Sequence, residues 1–240
     1  NLAIERIELA IQRNERVLIY GDYDVDGTTA VSMMFDFFSK YFSFLDYYIP
    51  DRYSEGYGVS IKSIDFAKKN EFTLIIALDC GIRAVKQIEY ANDLNIDYII
   101  CDHHNPGEII PAAKAILNPK QLSCNYKFKE LSGCGVGFKL IQAFCIKRNI
   151  NSNKLTPLLD LLAISIAADI VPIVDENRIL MFYGLQQINR SPREGIKALI
   201  NSAKKDKEIK ISDILFGIAP LINAAGRILH GKHAVEVWVE

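Results

Sequence analysis

The stretch RVLIYGDYDVDGTTAVSMMFDFF, residues 16–38, sets the fold. Its first five residues form an apolar run of the length and β-branched character of a strand buried on both faces. A glycine follows, then three aspartates at alternate positions, Asp22, Asp24 and Asp26. Then TTAVSMMFDFFSKYF (28–42) takes up helical spacing. Strand, acidic turn, helix is the opening half of a βαβ unit. The same alternation continues through LDYYIP (45–50), TLIIALD (73–79), IDYIIC (96–101) and AKAILN (113–118), with helical patterns at 59–70 and 83–95 between them. The expected fold is α/β: a doubly wound, mostly parallel five-stranded sheet with flanking helices. LSGCGVG (131–137) reads as a glycine-rich loop, after which only helical patterns remain, at 138–149, 156–171, 176–189 and 193–203. A soft boundary therefore falls near residue 120. It separates an α/β core (1–120) from a mainly helical remainder (121–240) that need not be independent.

The bulk composition excludes more than it suggests. Half of the 240 residues are hydrophobic, enough for a substantial core, and 28 basic against 29 acidic side chains leave no global charge to attract nucleic acid or a membrane surface. Polyanion binding would need a local patch or bound cations. Five cysteines without paired spacing suit reduced thiols and a cytoplasmic setting. No apolar run approaches the length of a membrane span. The chain begins at Asn1 and ends at Glu240 within a helical pattern, which reads as part of a longer protein.

In an open α/β sheet, ligands gather beyond the carboxyl ends of the strands. There the first strand delivers Asp22, Asp24 and Asp26, the third Asp79, and the fourth Asp102, His103 and His104. Asp169 interrupts the apolar helix LLDLLAISIAADIV and supplies a further carboxylate that would be costly to bury alone. Each feature has an ordinary explanation: a DxD turn, an incidental histidine pair, a turn aspartate before Gly81. Their coincidence at successive strand ends does not. Carboxylate oxygens with imidazole nitrogen suit Mn2+ or Mg2+, with Zn2+ or Fe2+ as further options. So many ligands call for two ions sharing a bridging carboxylate, an arrangement fit for phosphoryl chemistry. The like charges tolerate one another because cations lie between them.

The motifs DYDVDG, LDCG, CDHH and AADIVP, in that order, resemble the four motifs of the DHH phosphoesterase superfamily. IPDRYSEGYG (49–58), LNPKQ (117–121), LSGCGVGFKL (131–140) and LINAAGR (221–227) resemble, within it, the RecJ-like single-strand-specific exonucleases. The resemblance implies one metal on Asp24 and Asp79 and a second on Asp26, Asp79, His103 and Asp169, with Asp79 bridging and Asp22 a ligand or a supporting group. It implies that His104 faces the scissile phosphate, that Asp102 orients His103 or His104, and that Arg52 and Arg227 bind substrate phosphates. The implied activity is 5′→3′ hydrolysis of single-stranded DNA to 5′-mononucleotides in bacterial DNA repair and recombination. A single-strand-binding protein and a helicase are the implied company. Two departures stand out. Tyr20 replaces the histidine of related pyrophosphatases, and Leu221 stands where an arginine is frequent. The DHHA1 and OB domains of such enzymes lie outside this chain. Two other readings remain: a phosphodiesterase of short RNA or cyclic dinucleotides, and an inactive replication or repair scaffold on the same fold. Tyr53 and Tyr57 either stack on bases or pack, and SGCGVG is either a tight helix entry or a phosphate cradle.

Overall fold

The structure, a computed structural model, describes residues 1–203, 207–228 and 232–239. Five strands form one parallel sheet in the order β2-β1-β3-β4-β5: β1 Val17–Gly21, β2 Leu45–Tyr48, β3 Leu74–Leu78, β4 Asp97–Cys101 and β5 Ala115–Leu117. Every pairing is parallel, with Val17 opposite both Leu45 and Leu74. β1, β3 and most of β4 are buried, which explains their unbroken apolar runs.

Helix α1 (Leu2–Gln12), which the apolar-run reading passed over, precedes β1. α2 (Val25–Phe38) starts three residues earlier than its apolar pattern, because Asp24 is its N-cap and accepts the Gly27 N–H. Asp26 consequently sits in the first helical turn. α3 (Ile61–Lys69) and α4 (Val85–Asp93) cover the opposite face, where Ile64, Ala67, Ile88 and Ala91 pack against Leu18, Ile75 and Ile100. With the strand order 2-1-3-4-5, the windings diverge between β1 and β3, and the crevice at their carboxyl ends is the expected ligand position.

The second half adds helices to the α1/α2 face. α5 (Gly133–Lys147) and α6 (Leu159–Ala168) pack on α2, α7 (Asp175–Arg190) packs on α6, and α8 (Glu194–Ser202) follows. The glycine-rich stretch is therefore no loop: Gly133 to Gly137 form the first turns of α5, with Ser132 as N-cap. A 3-10 turn (Ser152–Leu158) precedes α6, so Asp160 begins a helix that ends before Asp169. Beyond lie α9 (Ile211–Asp213), a π-helical turn (Ile214–Ile218), α10 (Ala219–Ile228) and α11 (Lys232–Val239). One apolar cluster runs from Ile7 and Met34 through Phe144 and Leu162 to Trp238. No helix among the described residues is long and apolar enough to cross a membrane.

Candidate metal centre and phosphate-facing site

The carboxylates converge because parallel strands all end on the same edge. Asp22 leaves β1 fully buried; its Oδ1 accepts the Tyr23 N–H at 2.8 Å, while Oδ2 has no partner. Asp26 faces α5 and accepts three hydrogen bonds: the Gly133 N–H to Oδ2 (2.6 Å), and the Cys134 N–H (2.9 Å) and Ser165 hydroxyl (2.7 Å) to Oδ1. The unsatisfied donors of a helix start thus hold a carboxylate of this chain, and the helix dipole favours its charge. This settles SGCGVG as a helix entry packed on the site. Asp79 follows β3 with φ at 59°, a left-handed conformation that aspartate tolerates better than most residues. Gly133 packs against it so closely that a Cβ there would stand 2.7 Å from the Asp79 Cα.

His103 completes the cluster. Its Nε2 lies 3.2 Å from Asp79 Oδ1, 3.6 Å from Asp169 Oδ2 and 3.9 Å from Asp26 Oδ2. Asp169 is the C-cap of α6 rather than an interruption within it. The chain turns away at Ile170, whose φ of 57° is unusual for a β-branched residue and costs roughly 1–3 kcal/mol. Two ligand groupings result, Asp26–His103–Asp169 and Asp79–His103–His104, each with its ligand atoms within 4.8 Å of one another. Asp22 and Asp24 belong to neither grouping; Asp24 is tied to Gly27 as a helix cap and couples electrostatically to Asp26.

Among the two residues that Asp102 could orient, it holds His104. Asp102 Oδ1 accepts from the His104 backbone N–H (3.0 Å) and pairs with His104 Nδ1 (2.7 Å), and Oδ2 accepts the Ile82 N–H (2.9 Å). His104 Nε2 then meets the Tyr57 hydroxyl at 3.0 Å. The ring of Tyr57 sits edge-on to His104 and to Tyr23, and the Arg52 guanidinium lies 5.0 Å above the Tyr23 ring. Tyr57 thus touches the site through its hydroxyl and ring edge while remaining 55% exposed. Tyr53 is 80% exposed. Tyr20 points to the α3 face instead, donating to the Gly58 carbonyl at 2.7 Å. Arg227 lies on α10, but its side chain falls outside the described residues.

The electrostatics fit a site made for cations. Burial, then the charges of Asp26 and Asp24, push Asp79 far above the usual carboxyl range. Burial and Asp24 raise Asp22 to about 7, and burial with Asp26 and Asp24 raises Asp169 to about 7. Asp24 is raised by burial and Asp26. Burial lowers His103. Burial alone would raise Asp102, but the hydrogen bonds it accepts from His104 and Ile82 outweigh it and hold it low; the hydrogen bond to the Asp102 carboxylate raises His104. Asp79 Oδ1 and both ring nitrogens of His103 are buried without a hydrogen-bond partner. Such orphans are rare in native interiors and demand an explanation. Oxygen and imidazole donors aimed into one space fit a divalent cation held by Asp26, Asp79, His103 and Asp169.

Sequence reasoning did not find Ser165, whose hydroxyl holds Asp26. The signal was its place four residues before Asp169, on the same helix face.

The profile of the DHH family, N-terminal domain, matches residues 16–166. The single-stranded-DNA-specific exonuclease RecJ of Bacillus subtilis (strain 168) is 43% identical over 236 residues, 98% of this chain and 29% of that protein. The protein of the same name from Escherichia coli (strain K12) is 38% identical over 238 residues, 94% of this chain and 41% of that one. A crystal structure of exonuclease RecJ bound to manganese superposes with a TM-score of 0.88 at 28% identity, covering 99% of this chain and 60% of that one. The chain spans under half the length of these curated relatives. With its parallel sheet, its four motifs and the acidic edge they build, the chain belongs to the DHH family and is RecJ-like in sequence and fold.

Proposed function

We propose that this chain is the metal-dependent nuclease core of a single-strand-specific 5′→3′ DNA exonuclease that releases 5′-mononucleotides. The observation that carries the reading is the pair of unpartnered buried ligand atoms, Asp79 Oδ1 and His103 Nε2, 3.2 Å apart and bordered by Asp26 and Asp169. The identity to RecJ proteins, named for action on single-stranded DNA, supports the substrate, and the manganese-bound relative supports Mn2+ or Mg2+ as the ions.

In this reading Asp26, Asp79, His103 and Asp169 hold one ion. Asp24 with Asp79 holds the other, and Asp22 supports Asp24 from behind. The ions supply charge neutralisation and an acidified water when bound. The chain's own groups do the rest. His104, fixed by Asp102 through Nδ1, presents Nε2 beside Tyr57 toward a phosphoryl oxygen. A proton on Nε2 would stabilise charge developing there, and the hydrogen bond to Asp102 favours that protonated form. Arg52 anchors a neighbouring phosphate with its planar fork, and Arg227 serves a second. Such an enzyme would work in the cytoplasm beside a single-strand-binding protein and a helicase.

The test is single-stranded DNA labelled at either end, incubated with the protein and Mn2+, with EDTA and Asp79→Ala as controls. Early release of a labelled mononucleotide from the 5′ end, absent in both controls, is expected. Cleavage of short RNA or a cyclic dinucleotide with DNA left intact would keep the metal site and replace the substrate. No cleavage and no Mn2+ binding would leave the scaffold reading.

A further inference from the structure

Next to His104 lies a cavity of about 400 Å³ that shares His104 and Asp102 with the site but is otherwise lined by residues given no role in the reaction above. Tyr57, Val59 and Ile82 form apolar walls, Gln87 brings an amide, and Asp102 and His104 form the end shared with the site. Its volume lies in the range of small-ligand pockets, which pair apolar walls with a few placed polar groups. Arg83 stands at its rim. The Arg83 Nε donates to the Asn105 carbonyl at 2.8 Å, so the guanidinium is fixed one residue from His104. Its two terminal nitrogens make no hydrogen bond or ion pair among the described residues, which leaves an oriented fork of the kind that grips a phosphate in two places.

The position of this fork matters as much as its chemistry. Arg52 stacks on Tyr23, Tyr23 meets Tyr57, Tyr57 meets His104, and Arg83 is anchored on the residue after His104. Two guanidinium groups are thus tied by short chains of contacts to the Tyr57–His104 pair, on an edge otherwise dominated by carboxylates. A polyanion crossing His104 would find Arg83 at the mouth of the cavity that His104 also lines, an opening large enough for a small ligand. We propose that this cavity is a nucleotide subsite: it takes the base of a nucleotide flanking the scissile phosphate, and Arg83 binds that nucleotide's phosphate. The inference rests on the reading of the substrate as single-stranded nucleic acid.

The test is equilibrium binding of a fluorescent single-stranded oligonucleotide to the full chain by anisotropy, in EDTA, across a salt series. Arg83→Gln and Arg83→Lys are compared with the wild type, and turnover with Mn2+ is measured in parallel. Loss of one phosphate contact on a single strand should lower the slope of log affinity against log salt by about 0.7. Arg83→Gln is expected to show that loss with roughly tenfold weaker binding, and KM should rise while kcat holds, the mark of uniform binding removed. Arg83→Lys should keep the slope and recover part of the affinity, since it keeps the charge and loses the fork. The Mn2+-induced rise in melting temperature should be the same in all three. A merely structural role for Arg83 would leave the salt slope alone, and wild-type affinity and slope in Arg83→Gln would overturn the subsite. If the wild type binds the strand but does not hydrolyse it, the exonuclease reading fails and the slope comparison still decides the subsite. If it neither binds the strand nor hydrolyses it with Mn2+, both fall.

Discussion

Asp22 shows what a carboxyl costs when it is buried among like charges. It is fully buried, one oxygen lacks a partner, and Asp24 stands beside it, so its carboxyl is raised to about 7 from the ordinary value of 3.8. A group that binds its proton more tightly folded than unfolded stabilises the fold at low pH. That contribution is lost as pH rises from about 4 through about 7. Asp22→Asn removes the titration. In EDTA, the melting temperature of Asp22→Asn minus that of the wild type should therefore grow by several degrees between pH 4 and pH 8. His103 titrates in the opposite sense but is common to both proteins and drops out of the difference. Calorimetry at four or five pH values checks this; parallel curves would refute it. At this scale much of the site was legible. Asp79, His103 and Asp169 each lie just past an apolar element whose end the sequence shows, and Asp26 meets them from the first turn of the helix that follows β1. The partner of Asp102 was not legible. His104 approaches it through both its backbone N–H and its ring, a geometry fixed by three loop residues that leave no periodic mark.

At the scale of elements, the site depends on how closely helices approach the sheet and one another, and two glycines separate site geometry from stability. A Cβ on Gly133 would lie 2.5 Å from the Asp79 Cβ, and one on Gly184 would lie 2.5 Å from the Ala163 Cβ where α7 crosses α6. Overpacking of this kind costs typically 1–3 kcal/mol. Both Gly133→Ala and Gly184→Ala should lose about that much in urea unfolding without metal. Only Gly133→Ala pushes back the α5 start, with the two N–H groups that hold Asp26. It alone should weaken Mn2+ binding, by about tenfold or more, read as a smaller Mn2+-induced melting shift. Equal shifts in the two variants would mean that the α5 start does not set the ligand geometry. The helical register of 133–137 was hidden in the sequence because three of those five residues are glycine, a poor helix former chosen here for contact. The α2 start was hidden for the opposite reason: Asp24 caps the helix and Asp26 belongs to its first turn, so acidic residues expected in a loop are part of the helix.

At the scale of the molecule, the question is whether residues 1–120 and 121–240 act as one body. We propose that they do. The apolar cluster crosses residue 120 without a break, and the candidate ligands come from both sides, Asp26, Asp79 and His103 from one and Asp169 from the other. Two cysteines report on this separately. Cys101 lies within β4 and Cys145 within α5; both are buried, and burial pushes both thiols up, so a thiol reagent reaches them only when the fold opens. Cys124, partly exposed, should react at once in all conditions. A ligand that binds the native state alone stabilises it by about 2.7 kcal/mol at 100 times its dissociation constant, close to a 100-fold reduction in opening. If the chain opens as one unit, Mn2+ at that excess should slow the labelling of Cys101 and Cys145 by the same factor, near 100. Mass spectrometry after timed alkylation reads both sites in one experiment. Slowing at Cys101 with none at Cys145 would mean that the helical half opens on its own and that Asp169 is not held with the other ligands. Equal slowing would tie the sheet edge and the helices into one cooperative core, which is what a metal centre built from both halves requires.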